Sequence, residues 1–400
     1  MPSSRPVYIS GSGIICAAGL CKEEVLETLL SEGSGIAPVK YLQTEHAEFP
    51  VGEVKLTDSQ MRERLGIREG EASVRTALEG MLALGEALKE AGLAREDLHQ
   101  AGFISGTTVG GMDQTERCYL DFLDNDSRNA YLRTHDCGSS SELIADHFGD
   151  FAFINTISTA CSSAANAIGL AAEMIRLGEA EIVVAGGAEC LTRFHLNGFN
   201  SLMILDRKPC RPFDAERAGL NLGEGAAYVV LESEESLRGR GARPLARLSG
   251  FGNACDAFHQ TASSPDGEGA YRAMCKALED AGLRPMDIDY INAHGTGTPN
   301  NDLSESQAML RVFGEKLPPM SSTKSITGHT TSASGSIETV ICLLALREKF
   351  LPVNYGWSHP MPENGIRPNM NISRGTALRH ILCNSFGFGG NDSSLIISAL

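Results

Sequence analysis

The stretch from Asn155 to Asn166, NTISTACSSAAN, places one cysteine between two different patterns. Apolar and β-branched residues before Cys161 predict a strand, whereas the small residues after it lead into a helical run, AANAIGLAAEMIRLGEA. A thiol in the first turn of a helix faces unpaired N–H groups and the positive end of the helix dipole, which stabilise a thiolate. The stretch alone predicts either an activated nucleophile or a small core cysteine.

Two histidines stand at comparable junctions later in the chain. His294 follows the strand pattern DYINA and precedes GTGTP, a loop whose hydroxyls can hold an extended polar ligand. His329, with Lys324 five residues earlier, comes just before another run of small residues. Each histidine alone is typical of many loops. Together with Cys161 they form a Cys-His-His set at predicted strand ends, and that set favours nucleophilic catalysis.

Composition and charge restrict what this set can do. The 400-residue chain is 42% hydrophobic, and no run approaches the roughly 18 apolar residues of a membrane helix. With no charged-then-apolar leader, this predicts a cytoplasmic protein without a membrane partner. The eleven cysteines are scattered, which predicts neither a disulfide framework nor a metal site. A net charge of −16 argues against nucleic-acid binding, so any acidic macromolecule must meet a local basic patch.

The elements that must position the set follow an α/β order. Strand-like runs alternate with helical stretches such as SVRTALEGMLALGEALKEAGL, and this order predicts a mixed, largely buried sheet. The predicted strands are PVYISGSGIIC, AGFISGTTVGG, FAFINTIS, AEIVVAGGAE, AAYVVLES, DYINAHG, HILCNSFGFGG and SSLIISAL. The stretch RGRGARP marks a seam that divides the chain into halves 1–240 and 241–400.

Internal similarity indicates a duplication. The segment ALKEAGLAREDLHQAGFISGTT, from Ala87, resembles ALEDAGLRPMDIDYINAHGTGT, from Ala277, as helix, turn, strand and small-residue loop. A fainter pair sets CSSAANAIGLAAEMIRLG beside SASGSIETVICLLALREK. Chance explains one pair of short Ala/Leu helices, but two pairs in the same order favour duplication.

These motifs resemble the β-ketoacyl-[acyl-carrier-protein] synthases of the elongating class, which share the thiolase-like α/β fold. The resemblance covers essentially the whole chain through VYISGSGIICAAG, TTVGGMD, STACSSAANAIG, AGGAE, RPFDAERAGLNLGEGAA, AHGTGTPNND, KSITGHTTSASG and NSFGFGG. It implies a duplicated, five-layered αβαβα architecture with mixed sheets, and a dimer. It also implies decarboxylative condensation of an acyl group with malonyl-acyl carrier protein, in fatty acid or specialised polyketide or polyene biosynthesis. The protein would need no cofactor of its own, because the phosphopantetheine arm belongs to the acyl carrier protein.

The resemblance implies roles for the three reactive residues. Cys161 would store the acyl chain as a thioester, which splits a difficult carbon–carbon bond formation into two steps. His294 and His329 would stabilise the enolate that forms when the malonyl group loses CO2. The backbone N–H groups of Cys161 and Phe388 would bind the tetrahedral oxyanion during condensation.

Supporting residues follow from the same resemblance. Lys324 and Glu338 would support the active-site network, and Thr296 and Thr298 would hold the phosphopantetheine arm.

The resemblance also implies a mobile gate. Phe388 between Gly387 and Gly389 would close over the cysteine, because glycines beside one aromatic side chain suit a hinge and plug; a tight turn between core strands is the alternative. Asp256 and His259 resemble a companion gating loop.

Departures from the family pattern point to a specialised relative. The family motif Gly-His-x-x-Gly-Ala-Ala-Gly reads GHTTSASG here, with Ser332 in place of a glycine, which predicts altered backbone packing. After the gate, Asn391-Asp392 replaces the usual Thr-Asn.

Other functions of this superfamily remain as alternatives. One is a coenzyme A-dependent thiolase-like enzyme, such as a biosynthetic thiolase or the initiating synthase. The initiating class typically pairs its cysteine with His and Asn, and the two histidine motifs argue against it. A non-catalytic chain-length subunit typically lacks the cysteine, but this chain could be the catalytic partner of such a subunit. A homodimer and a heterodimer both stay open, as do the acyl chain and the cognate carrier.

Two basic clusters are candidates for binding an acidic carrier protein, or are ordinary solvated charges. They consist of Arg62, Arg64 and Arg68, and of Arg207, Lys208 and Arg211.

Overall fold

The computed structural model describes residues 5–68, 71, 73–124, 126, 129–314 and 316–400. The strands are β1 (Val7–Cys16), β2 (Ala101–Gly106), β3 (Phe153–Ile157), β4 (Ile182–Glu189), β5 (Gly225–Ser233), β6 (Ala246–Cys255), β7 (Tyr290–Asn292), β8 (Met320–Ser321), β9 (Phe350–Leu351), β10 (Ser373–Arg374), β11 (His380–Gly387) and β12 (Asn391–Ser398). The helices are α1 (Lys22–Leu30), α2 (Asp58–Leu65), α3 (Arg75–Ala91), α4 (Met112–Cys118), α5 (Ala130–Arg133), α6 (Cys137–Phe148), α7 (Ser163–Leu177), α8 (Arg193–Ser201), α9 (Glu234–Arg240), α10 (Glu268–Ala281), α11 (Pro299–Phe313), α12 (Lys324–Thr327) and α13 (Ser334–Glu348). Within these described ranges, no helix has both the length and the apolar character needed to cross a membrane.

The main sheet contains one topology twice. Its order is β3-β2-β4-β5-β1-β6-β12-β11-β7-β8, and β9 pairs separately with β10. In the first half, β2 runs parallel to β3 and β4, whereas β5 is antiparallel to both β4 and β1. In the second half, β7 runs parallel to β8 and β11, whereas β12 is antiparallel to both β11 and β6. The two halves meet where β1 pairs antiparallel with β6, and the predicted mixed sheet and duplication are confirmed.

Glycines let equivalent helices lie directly on the first strand of each half. A Cβ on Gly13 of β1 would stand 2.0 Å from the carbonyl oxygen of Ala83 on α3, and a Cβ on Gly252 of β6 would stand 2.1 Å from that of Ala273 on α10. Backbone approach this close excludes any larger residue. The repeated ALKEAGL and ALEDAGL segments therefore lie at the ends of equivalent helices.

The second pair of repeated segments forms the centre of the molecule. Helices α7 and α13 pack against each other and against strands of both halves. A Cβ on Gly335 of α13 would lie 2.7 Å from the backbone nitrogen of Ala165 on α7, so small residues are what allow this approach. With α3 outside the first-half strands and α10 outside the second-half strands, the layers run helix, sheet, helix, sheet, helix.

The strand β6 was not predicted from the sequence. Its residues alternate between buried and more exposed positions, and Gly250 and Gly252 interrupt any apolar run. The division of the chain at residues 240 and 241 stays a prediction; α9 ends at Arg240 and β6 begins at Ala246.

Candidate active site

Cys161 lies in a tight turn between β3 and α7, as the sequence predicted. Ala160, just before it, adopts a left-handed conformation with φ 54°. The N–H of Thr159 donates to Ser163 Oγ at 2.9 Å, and the Ser163 hydroxyl donates to the Ala160 carbonyl at 2.6 Å. These bonds hold a strained turn in place, so the small residues after the cysteine fix its position as well as leaving space around it.

The structure brings Cys161, His294 and His329 together. His329 Nε2 is 3.2 Å from Cys161 Sγ, and the two imidazole rings meet edge to face with their centroids 5.2 Å apart. The sulfur and one ring nitrogen of each histidine all lie within 4.8 Å of one another, and the three side chains are buried. His294 follows β7 as predicted, whereas His329 follows the short helix α12 and not a strand end. They line a cavity of about 230 Å³.

The protonation of Cys161 differs from the sequence-based expectation. Burial raises the pKa of the Cys161 thiol to about 12, and the charge of Glu189 adds to this. The positive charge of Lys324 and the backbone N–H of Phe388 lower it, but they do not offset the burial. A helix terminus favours a thiolate, but that effect comes from the local turn alone and does not include the burial of the sulfur. Since both halves enclose the sulfur, the resting residue is a thiol.

Both histidines are neutral at pH 7. Burial lowers the pKa of His294 and of His329 well below the usual value, and the charge of Lys324 lowers both further. A neutral imidazole carries one N–H and one acceptor nitrogen. Each ring can therefore donate one hydrogen bond to a developing negative charge without adding a charge of its own.

Three residues that the sequence analysis did not identify hold these histidines. Ser334 Oγ is 3.0 Å from His329 Nδ1, and Thr330 Oγ1 is 3.3 Å from Ser334 Oγ. Glu305 accepts the backbone N–H of His294 at 2.8 Å. The sequence did contain a signal for Ser334, because this serine stands where the family motif has an alanine.

Lys324 and Glu338 form a buried ion pair next to the cluster. Burial raises the pKa of Glu338 to about 7, and the charge of Lys324 opposes this rise. Lys324 also lowers the pKa of Cys161 and of both histidines, whereas Glu338 raises that of Cys161. Lys324 is therefore the member of the pair that places positive charge beside all three reactive groups.

Thr296 and Thr298 form a polar wall of the cavity, as the sequence predicted. Their hydroxyl oxygens are 2.9 Å apart, and Thr298 Oγ1 caps α11 by accepting the N–H of Asn301. Gly297 between them has φ 83°. This wall suits an extended polar ligand that crosses the cavity toward the sulfur.

Phe388 covers the cavity and touches the nucleophile. Its ring stacks on Phe199 with the centroids 5.7 Å apart, and its backbone N–H donates to Cys161. Gly389 has φ 81°, and a Cβ there would meet nothing within 4 Å. The segment 387–390 therefore combines one packed aromatic ring with open space around Gly389. Phe199 could not be predicted from the sequence, since α8 is remote in the chain from β11.

Of the two residues in the companion loop, only Asp256 reaches this segment. Its N–H donates to the Gly390 carbonyl at 3.2 Å, and its carboxylate accepts the N–H groups of Phe258 and Ser264. His259 is exposed, accepts the N–H of Thr261 at 3.2 Å and is not among the residues that line the cavity.

The two departures noted in the sequence lie close to the nucleophile turn. Asn391 Oδ1 accepts from Ser162 at 2.8 Å, from Asn166 at 2.9 Å and from Asn253 at 3.1 Å. This amide thereby ties the end of the gate segment to the start of α7. Ser332 is buried, and its hydroxyl has no hydrogen-bond partner among the described residues.

A duplicated five-layer α/β fold with a cysteine and two histidines in one buried cavity defines a thiolase-like condensing enzyme. The family models agree: that of the beta-ketoacyl synthase N-terminal domain matches residues 4–236, and that of the C-terminal domain matches residues 245–357. The chain belongs to the beta-ketoacyl synthase family. It is an acyltransferase that performs β-ketoacyl-acyl carrier protein condensation in fatty acid or type II polyketide biosynthesis.

Individual relatives match along the full chain. The 3-oxoacyl-[acyl-carrier-protein] synthase 2 of Vibrio cholerae is 32% identical over 420 residues, which cover 100% of both chains. The ishigamide ketosynthase/chain length factor structure has a TM-score of 0.91 and 30% identity, with 100% of both chains covered. A type II PKS acyl-carrier protein complex with its ketosynthase bound to the hexaketide gives a TM-score of 0.87 and 27% identity, again over 100% of both chains.

Proposed function

We propose that Cys161 carries the acyl group and that His294 and His329 stabilise the malonyl-derived enolate. The observation that carries this proposal is the buried cluster in which His329 Nε2 lies 3.2 Å from Cys161 Sγ, with His294 against the His329 ring. The cavity that opens onto the sulfur supplies the space for a thioester.

In the loading step, the sulfur of Cys161 attacks the thioester carbonyl of an acyl carrier. A bond forms between this sulfur and the acyl carbon, the bond to the carrier sulfur breaks, and the thiol proton ends on the departing carrier thiol. The step exchanges one thioester for another, so it requires little free energy. The Phe388 N–H and a His329 Nε2–H donate to the sulfur, and these donors stabilise the transient thiolate against the effect of burial.

In the condensation step, the malonyl group loses CO2 and its electron pair moves into an enolate. Two N–H donors, one from each histidine, bind the enolate oxygen. The enolate carbon then attacks the acyl carbonyl on Cys161. The backbone N–H groups of Cys161 and Phe388 bind the resulting oxyanion, and its collapse releases the Cys161 sulfur, which takes up a proton.

The surrounding residues have supporting roles in this proposal. Lys324, held by Glu338, provides the positive charge that favours anionic species near the sulfur. Thr296 and Thr298 position the phosphopantetheine arm along the polar wall. Phe388 closes the cavity once the acyl group is loaded.

A second ketosynthase-like chain is the proposed structural partner, in a homodimer or in a heterodimer. Strand β3 ends the sheet and pairs on one side only, with β2. Its Ile154 is 39% exposed, and Leu120 is 77% exposed. The ishigamide relative, whose structure is a ketosynthase/chain length factor, supports the heterodimer. Native mass spectrometry of the purified chain, alone and after co-expression with a ketosynthase-like partner, distinguishes the two assemblies.

The acyl carrier protein is the proposed substrate carrier, and a cytoplasmic location remains part of the proposal. The related ketosynthase complex with its acyl-carrier protein supports this partner. Incubation of the chain with acyl- and malonyl-carrier thioesters should give a β-ketoacyl-carrier product and CO2. Equal turnover with coenzyme A thioesters in the absence of any carrier would instead support the coenzyme A-dependent alternative.

Ser334→Ala should slow condensation about tenfold, because His329 Nδ1 loses the hydroxyl that fixes its ring hydrogen on Nε2. The KM for the carrier substrate should change little. Nitrogen-15 NMR of the imidazole should show the two ring nitrogens of His329 altered in this variant. Ser336→Ala is the matched control, since Ser336 is buried on the same helix and donates only to the Ala333 carbonyl. Equal losses in both variants, with an unchanged His329 spectrum, would show that Ser334 does not fix the ring hydrogen of His329.

Arg207→Glu combined with Lys208→Glu should raise the KM for an acyl-carrier substrate severalfold. Both residues are exposed and follow the cavity residue Ile204 by a few positions, whereas Arg211 is already paired with Glu216. Charge attraction is screened over about 8 Å at physiological salt, so the effect should shrink as salt rises.

Reaction of this double variant with a small pantetheine thioester should stay nearly unchanged, because that substrate has no acidic surface. Arg238→Glu with Arg243→Glu is the control, since both arginines are exposed, on or just after α9, and line no part of the cavity. Equal losses with the two substrates would mean that the loop shapes the active site, and no loss with either would exclude it from the carrier interface.

A further inference from the structure

Two carboxyl groups lie side by side beneath the gate segment 387–390. Asp392, on β12, is 2% exposed, and its Oδ1 has no hydrogen-bond partner among the described residues. The point where Gly269 would carry a Cβ lies 2.2 Å from Asp392 Oδ2 and 2.8 Å from Asp256 Cβ. The Asp392 side chain, from β12, and the Asp256 side chain, from the loop after β6, thus face the same glycine.

Asp256 touches the gate directly. Its Oδ1 lies 1.9 Å from the point where a Cβ on Gly390 would stand, and its N–H donates to the Gly390 carbonyl at 3.2 Å. Its carboxylate also accepts the N–H of Phe258 at 3.1 Å and that of Ser264 at 2.9 Å, so it organises the loop 255–264. A force on the Asp256 carboxylate therefore acts on both loops.

The charged groups that act on Asp392 are both acidic. They are Asp256, from the loop after β6, and Glu305, from α11. Glu305 already accepts three hydrogen bonds, from two backbone N–H groups and from Asn384. The neighbours of Asp392 on β6, β11 and α10 are uncharged: Ala254, Phe386 and Gly269. Asp392 is buried and Asp256 is half-buried, and like charges placed side by side in such a site disfavour ionisation of both carboxyl groups.

Because the charged groups that act on Asp392 are acidic, a bound proton is what neutralises its carboxylate. Burial, together with the like charges of Asp256 and Glu305, raises the pKa of Asp392 to about 8. A hydrogen bond from the Gly387 N–H lowers this pKa but offsets only part of the rise. An asparagine at this position would need no proton to donate a hydrogen bond. The aspartate of this chain can donate one only in its acid form.

We propose that Asp392 and Asp256 share one proton, and that the resulting O–H···O bond latches the gate segment 387–390 to the loop 255–264. The Asp392 carboxylic acid donates to the Asp256 carboxylate while the gate is closed over Cys161. Loss of the proton leaves two like charges against each other, and their repulsion separates the loops. This inference rests on the proposed role of Phe388 as a gate, and it makes the gate sensitive to pH.

The direction of the pH effect follows from the raised pKa. A carboxyl that is free in water titrates near 4, whereas the folded Asp392 titrates at about 8. The latched state therefore binds one more proton than the open state between these two values. The free-energy advantage of the latched state is complete below about pH 4. It declines as the pH rises and is lost above the Asp392 pKa of about 8.

Hydrogen exchange of residues 387–391, compared between wild type and Asp392→Asn, tests the latch without requiring turnover. An asparagine keeps a donor at every pH, and comparison at the same pH cancels the chemical effect of hydroxide on exchange. The ratio of the wild-type rate to the variant rate should be near one at about pH 6 and should reach about fivefold near pH 9. Asp266→Asn is the control: it removes an exposed carboxyl just beyond the loop 255–264, and it should behave as wild type.

Infrared spectroscopy reports the shared proton itself. The difference spectrum of wild type minus Asp392→Asn at neutral pH should contain a protonated carboxyl band, and that of Asp266→Asn minus Asp392→Asn should contain the same band. The subtraction cancels other buried carboxyls such as Glu338, whose pKa is raised to about 7. Asp256→Asn is a second variant in case Asp392→Asn does not fold, and the ratio of the wild-type rate to the rate of this variant should likewise rise with pH, because the variant lacks the second charge. Absence of the band from the wild-type difference spectrum, or exchange rates that rise in parallel in all variants, would overturn the latch. Because neither readout depends on catalysis, failure of the latch is distinguishable from failure of the proposed function.

Discussion

Cys161→Ala is expected to abolish acyl loading and to lower condensation by on the order of 10⁴-fold or more, since no other group can hold the acyl chain beside the histidines. The substitution removes only one sulfur atom from a turn that backbone and serine contacts maintain. We therefore expect the thermal unfolding of the variant to stay close to that of wild type. Decarboxylation of the malonyl carrier should persist, because that step needs the histidines and not the thiol.

The matched control is Cys190→Ala, which removes a thiol that is equally buried but is not among the residues lining the cavity. Steady-state condensation and intact-protein mass measure the two effects. Condensation by Cys161→Ala at the rate of the Cys190→Ala control would end the assignment of Cys161 as nucleophile.

The histidine variants are expected to separate the two chemical steps. His294→Ala should lower decarboxylation and condensation by about 10²- to 10³-fold, the usual cost of removing one donor from a developing oxyanion. The variant should still accept an acyl group on Cys161. The wild-type His294 ring packs against His329, and it is His329 that contacts the sulfur. His329→Ala should lose the same two reactions and should also load more slowly, because its Nε2 lies 3.2 Å from Cys161 Sγ.

His380→Ala serves as the control for both, since this half-buried histidine contacts Ser398, away from the cavity. Single-turnover loading, CO2 release and product formation are measured separately for each variant. Unchanged CO2 release in both His294→Ala and His329→Ala would contradict the enolate role.

The sequence was sufficient for the elements that carry a strong local pattern. The strands with unbroken apolar runs, the duplication and the Cys161 turn were all predicted, because each depends on neighbouring residues. The strand β6 was missed because Gly250 and Gly252 replace apolar residues where α10 packs on it. Those glycines can be explained only once the helix that contacts them is known.

The contacts that tune the site could not be predicted in the same way. Ser334 is near His329 in the sequence, but Phe199 meets Phe388, and Asn391 meets Ser162, across long stretches of chain. The effect of burial on the Cys161 pKa could not be predicted for a related reason. A helix terminus is visible in the sequence, whereas the burial of the sulfur depends on how the two halves close around it.

The central claim is that Cys161 carries the acyl group. Its most direct test is mass spectrometry of the wild-type chain after incubation with a panel of acyl-carrier thioesters, followed by digestion and fragment sequencing. One acyl group should be added per chain, on the peptide that contains Cys161, and the retained acyl group identifies the primer. An acyl group on any other residue, or continued condensation with no acylated peptide at all, would contradict it.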